Sequence, residues 1–152
     1  MAIAVTIETE VSRPPGAVFD ALTDIDRWPA WLIATGIVRI HRSSAAPLVN
    51  GERVTIDQRA AGRASVVEAR VTALDRPARF AIEGRDADGV STTLEAELAD
   101  GPSGGTRLRW SVRINLPLRY RAFESMAAPT VRRAAALDVE AFRRRLETTP
   151  AD

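Results

Sequence analysis

The sequence predicts an α+β fold: a curved antiparallel sheet of about seven strands wrapped around a long C-terminal helix, with two short helices between the first and second strands. Three observations predict it. Runs of alternating apolar and polar residues recur from Ile3 to Asn115, the period of strands with one buried face. The period turns helical briefly after Ser12 and again, to the end, after Pro117. So much sheet with so little helix cannot have both faces covered, so the sheet curves around the terminal helix and much of its outer face meets water. That geometry tends to leave an internal space between sheet and helix.

The elements follow in order. The first strand sets Ile3, Val5, Ile7, Thr9 and Val11 against Ala4, Thr6, Glu8 and Glu10. Ser12 sits at an N-cap position, Pro14 and Pro15 suit the entry to a helix, and Val18, Leu22 and Ile25 recur at helical spacing with Phe19 beside them. Asp24 and Asp26 give a second start signal. Pro29 fits the first turn of a short helix that carries Trp28, Trp31 and Leu32 on one side. Val38 and Ile40 mark one face of the next strand, with His41 pointing outward, and Ala45 to Asn50 with Gly51 lead to a strand bearing Val54 and Ile56. Val67, Ala69 and Val71 then oppose Glu68, Arg70 and Thr72, up to a turn at Asp75-Arg76-Pro77. Phe80 and Ile82 mark another strand. The hairpin signal Asp86-Ala87-Asp88-Gly89 precedes Val90, Thr92, Leu94, Ala96 and Leu98, which face away from Ser91, Thr93, Glu95 and Glu97. After the loop from Asp100 to Gly105, Leu108, Trp110, Val112 and Ile114 alternate with Arg107, Arg109, Ser111 and Arg113. In the tail Tyr120, Phe123 and Ala127 share a face before Pro129, which either kinks one helix or starts a second. Ala135, Phe142 and Leu146 continue the apolar stripe, and Arg143, Arg144 and Arg145 complement the dipole at the carboxyl end.

Composition narrows the function. With 152 residues and 45% of them hydrophobic, the chain has material for one compact domain, expected over residues 1–147, with 148–152 a frayed tail. No stretch approaches the roughly 20 apolar residues of a membrane helix, and residues 1–11 lack the pattern of a secretory signal. A cytoplasmic protein without integral membrane association is the expectation. Zero cysteines exclude disulfides, thiolate metal sites and a cysteine nucleophile. Every basic residue is arginine, which excludes Schiff-base chemistry and a Walker lysine. The single histidine, His41, removes most zinc arrangements. No cofactor and no metal are expected. The arginines are interspersed with acids to a net charge of +1, without the basic face of a nucleic-acid binder, and the alternating charges favour a monomer or a weak homodimer.

Val11-Ser12-Arg13-Pro14-Pro15 through Val18-Phe19-Asp20-Ala21-Leu22, the stretch from Asp24 to Trp31, Gly51 before the third strand, the stretch from Val71 to Phe80 and the closing amphipathic helix together resemble one family. It is the START-like, helix-grip superfamily, also called SRPBCC, in its polyketide cyclase/dehydrase and lipid-transport branch. The resemblance covers nearly the whole chain. It implies a domain that binds a small hydrophobic or amphipathic molecule in an internal cavity without a cofactor. The superfamily includes carriers, receptors, cyclases and regulators, so the fold does not choose among them.

Candidate site residues follow from position and type. Trp28 and Trp31 are placed to roof a cavity entrance, while Phe80, Ile82 and Trp110 lie on the apolar faces of their strands. Tyr120, Phe123 and Met126, just before Pro129, are placed to form a gate. All eight also suit a plain core. Asp138 falls within the apolar face of the terminal helix, between Ala134, Ala135, Ala141 and Phe142, so its carboxylate needs a partner or a cavity. Arg59 is one conceivable partner. A buried acid of this kind is the candidate general acid or base, and a structural ion pair is the competing reading. The expected function is binding of a lipid-like or polyketide-like molecule, as a carrier or sensor. One alternative is a cofactor-independent enzyme of the polyketide cyclase, aromatase or dehydratase type using the same cavity. The other is a regulatory protein-interaction module.

Overall fold

The computed structural model describes residues 2–60 and 62–149. Among them, seven strands form one antiparallel sheet: β1 (Ile3–Val11), β2 (Ile37–His41), β3 (Arg53–Ala60), β4 (Arg63–Asp75), β5 (Arg79–Arg85), β6 (Ser91–Asp100) and β7 (Thr106–Asn115). Their order is β1-β7-β6-β5-β4-β3-β2, so the sheet is a continuous meander from β2 to β7 that closes on β1. The helix α1 (Pro15–Thr23) and a 3₁₀ segment (Ile25–Ala30) connect the two edge strands. A third 3₁₀ segment (Leu118–Phe123), after a short one at Pro102–Gly104, leads into α2 (Glu124–Thr148), which packs chiefly along β1. This is the helix-grip arrangement.

Strand alternation places the core as the sequence requires. Val5, Val54, Val71, Phe80, Leu94, Leu108 and Trp110 are buried on the concave face, and the intervening charges lie outside. From the helical side, Val18, Phe19, Leu22 and Ile25 are buried together. Ala135, Val139 and Phe142 close the space from α2. None of the helices among the described residues is long and apolar enough to cross a membrane.

Five local expectations change. Ser12 does not cap α1: the helix is entered through Pro14 with no side-chain cap, and Pro15 takes the first helical position, where its missing N–H costs nothing. Pro29 lies in the second turn of its segment, which is 3₁₀, and the Trp28 carbonyl accepts from both Trp31 and Leu32. Val38 is 57% exposed, because the pairing of β2 with β3 passes from Ile37 opposite Gln58 to Arg39 opposite Asp57. Val38 is therefore the extra residue of a bulge, and Ile37 takes the inward position. Tyr120 and Phe123 belong to the 3₁₀ segment, and Pro129 neither ends nor begins a helix but is the sixth residue of α2. It deprives only the carbonyl of Ser125, an exposed residue, of its donor. Finally, Arg145 stands in the last turn of α2 as expected, but Arg143 and Arg144 are engaged by Glu140 and Glu147, and the end of α2 is also held by Arg13, which donates to the carbonyls of Glu147 (3.1 Å) and Thr149 (2.8 Å). Helix α2 thus includes Thr148, the first residue of the stretch expected to fray, while 150–152 lie outside the described residues.

Candidate functional site

The concave face is divided in two. Beneath the C-terminal half of α2, Trp28, Trp31, Phe80, Trp110 and Phe142 pack together, with contacting ring centroids 4.7–6.4 Å apart and mostly edge-to-face. The Trp28 indole N–H donates to the Leu22 carbonyl at 2.9 Å, so its one polar atom is satisfied and the ring is free to pack. Beneath the N-terminal half the side chains are too small to meet the sheet. A cavity of about 440 Å³ remains there, floored by Ile56, Ala69, Ile82, Leu94 and Val112 and roofed by Ala127, Val131, Ala134 and Ala135.

Glycines shape its wall. Gly84 lies on the floor, where a Cβ would come within 2.5 Å of Val67 Cγ1, so a bare backbone keeps that part of the floor low. Gly36 has φ +89°, and a Cβ there would lie 2.0 Å from the Arg59 carbonyl oxygen. Only glycine fits. Its carbonyl accepts from the Arg59 N–H at 2.8 Å, which straps the segment before β2 onto β3 as a side wall.

The walls are apolar with a few polar groups. Gln58 donates its side-chain amide to the Thr35 carbonyl at 3.0 Å. Thr92 and Thr130 also line the cavity, and among the described residues neither hydroxyl has a protein partner, so each can donate to and accept from a guest. Arg59 borders both this cavity and the groove outside β3. Two larger depressions, of about 830 and 720 Å³, lie on the outer face among long charged side chains such as Glu8, Arg107 and Arg109, or Arg53, Glu68 and Arg70. Those are open charged surface, poorly suited to excluding water from an apolar guest.

Of the eight residues singled out as ligand contacts, Ile82 lines this cavity. Trp28, Trp31, Phe80 and Trp110 are in the aromatic core. Tyr120 is half-buried, and Phe123 and Met126 are exposed just ahead of the cavity's first helical residue, Ala127. His41 is exposed and shares a 2.8 Å hydrogen bond with Asp57. Asp138 is 2% exposed, but its partner is not Arg59. Oδ1 accepts from the Ala34 N–H and Oδ2 from the Thr35 N–H, both at 2.8 Å. Burial pushes its carboxyl above the ordinary 3.8, and the hydrogen bonds from Thr35 and Ala34 pull it partly back. The carboxylate thereby ties α2 to the side wall; Ala34, Thr35, Ala134 and Ala135 line the cavity and Asp138 does not.

The residues that sequence reasoning passed over are Thr35, Gly36, Gln58, Thr92, Thr130 and the alanines of α2. Part of their signal was present. Gln58 is in phase with Val54 and Ile56, and Thr92 with Leu94, so both are polar groups on an inward face, which calls for a partner.

A family model described as polyketide cyclase/dehydrase and lipid transport matches residues 2–147. No curated protein matches the chain. Among solved structures, protein MLL2253 from Mesorhizobium loti is 19% identical over 97% of this chain and 99% of its own, with a TM-score of 0.72. The Zhui aromatase/cyclase from Streptomyces sp. R1128 is 16% identical over 97% and 94%, with a TM-score of 0.74. A START superfamily protein from Mycobacterium smegmatis is 14% identical over 95% and 94%, with a TM-score of 0.68. At these identities the likeness concerns the fold.

Proposed function

The chain belongs to the polyketide cyclase/dehydrase and lipid transport family, and from that premise we propose that it binds a small hydrophobic or amphipathic molecule between sheet and α2, as a cytoplasmic carrier or sensor. The observation that carries this reading is the cavity itself. Its volume, about 440 Å³, falls within the range of roughly 300–1,000 Å³ typical of small-molecule sites. Its walls are alanine, valine, leucine and isoleucine, with Thr92 and Thr130 offering hydroxyls to a guest that carries one or two polar groups. The guest is held by burial of apolar area, at about 25 cal/mol per Å² before the costs of association.

The aromatase/cyclase reading needs a positioned acid or base against the substrate. Asp138, the acid proposed for that role, turns its carboxylate to two main-chain N–H groups. The binding reading asks for nothing the cavity does not offer.

Displacement of a fluorescent apolar probe tests it. Wild type is expected to take up one probe per chain, released by competing lipids or polyphenols. Ala134→Leu, which puts a larger side chain of good helix propensity into the cavity, is expected to weaken uptake at least tenfold with Tm unchanged or higher. Equal uptake by the two proteins would place the probe elsewhere and overturn the reading.

A further inference from the structure

Helix α2 has a second apolar face that no other described residue covers. Counting 100° per residue, Met126, Arg133 and Leu137 fall within about 40° of one another, and Met126 and Leu137 are 73% and 58% exposed. Phe123 (55%) and Leu118 (80%) extend this stripe through the preceding 3₁₀ segment. At its other end stands Ile33, 70% exposed, beside Ala34, whose N–H is bonded to Asp138. Such a run of large exposed side chains exceeds the scattered apolar residues of an ordinary surface.

The charges around the stripe are positive. Arg119, Arg121 and Arg133 are exposed along it, and among the described residues none of them forms a salt bridge. Arg119 lies over the Tyr120 ring at 4.8 Å and donates to the Asp88 carbonyl. Of the acids near the stripe, the half-buried Glu124 forms no salt bridge among the described residues, while the others are already engaged. Asp86 and Asp88 face Arg63, and Glu140 is held by Arg143 and Arg144. Apolar side chains interleaved with unpaired arginines fit a surface with an acyl interior and negative headgroups. The stripe also adjoins the cavity: Thr130 is exposed, lines the cavity and lies on the helix between Met126 and Ala134.

We propose that this stripe docks the protein reversibly on an anionic lipid surface, with the Thr130 side of the cavity turned towards it. Met126, Leu137 and Phe123 enter the headgroup region, and the arginines meet the lipid phosphates. Docking needs no particular guest in the cavity, so it stands or falls separately from the proposed ligand binding.

Co-sedimentation of the full chain with vesicles tests it, using phosphatidylcholine alone and phosphatidylcholine mixed with phosphatidylglycerol. At least tenfold stronger association with the mixed vesicles is expected, weakening as salt is raised. Met126→Asp with Leu137→Asp is expected to abolish it while leaving probe uptake intact. Should those charges unfold the chain, Met126→Ser with Leu137→Ser carries the same test. Absent binding, equal binding to neutral and anionic vesicles, or undiminished binding by the double variant would overturn the proposal. So would a wild-type dimer that the double variant converts to monomer, since a second copy would then cover the stripe.

Discussion

A carboxylate that is 2% exposed must find donors, and Asp138 finds them in the main chain of a neighbouring segment. Its replacement therefore loosens the cavity wall. Asp138→Ala is expected to cost about 1–3 kcal/mol, because two N–H groups lose their acceptor and Ala34, being exposed, can turn to water. Chemical denaturation checks this. The pH dependence has a definite sign. Folding raises the pKa of Asp138, so its contribution to stability is full below pH 3.8 and is lost as pH rises through the raised value. The Tm advantage of wild type over Asp138→Asn is expected to shrink from acidic to neutral pH. An advantage that grows would mean that the two N–H bonds outweigh burial. That Asp138 is buried and bonded was legible from its place among Ala134, Ala135 and Phe142, but its donors were not. Main-chain N–H groups of a loop leave no mark in sequence periodicity. The same limit explains the aromatics. Lining a core and lining a pocket both require an inward apolar side chain, and only the packing of Trp28 against Phe80 and Trp110 decides between them.

Between elements, two polar joints supplement the apolar core. Arg13, just past β1, caps the last carbonyls of α2, while its own carbonyl accepts from the buried Thr106 hydroxyl at 2.7 Å. Sheet and helix thus meet at one residue. Arg13→Ala is expected to cost about 1 kcal/mol and to speed amide hydrogen exchange selectively over residues 145–149. Uniform exchange along α2 would assign the cap no local role. Across the 3₁₀ segment, Arg42 is clamped between Glu52 (2.7 Å) and Asp26 (3.0 Å), and that guanidinium holds the Glu52 carboxyl below its ordinary range. Strands were readable from their period of two because each has one wet face. The β2 bulge was not, since a single inserted residue at Val38 shifts the phase in a strand of five. Nor was the single α2, because a proline near a helix start permits a break as readily as passage.

At the scale of the molecule, the sheet order and the closing helix were legible because a meander of half-buried strands leaves one economical way to cover its apolar face. The existence of an internal space follows from the same geometry. Its position does not, since it depends on which half of α2 presents alanines to the sheet and which presents Phe142 to Trp31. Large rings fill one half and small residues vacate the other, so the fold holds a packed core beside an internal cavity. Native mass spectrometry of the protein purified from its own host, followed by denaturing extraction, tests that division most directly. The expected result is one apolar small molecule per chain in the wild type and none in Ala134→Leu. An empty wild-type protein that also gains no thermal stability from a panel of lipids and polyphenols would contradict it.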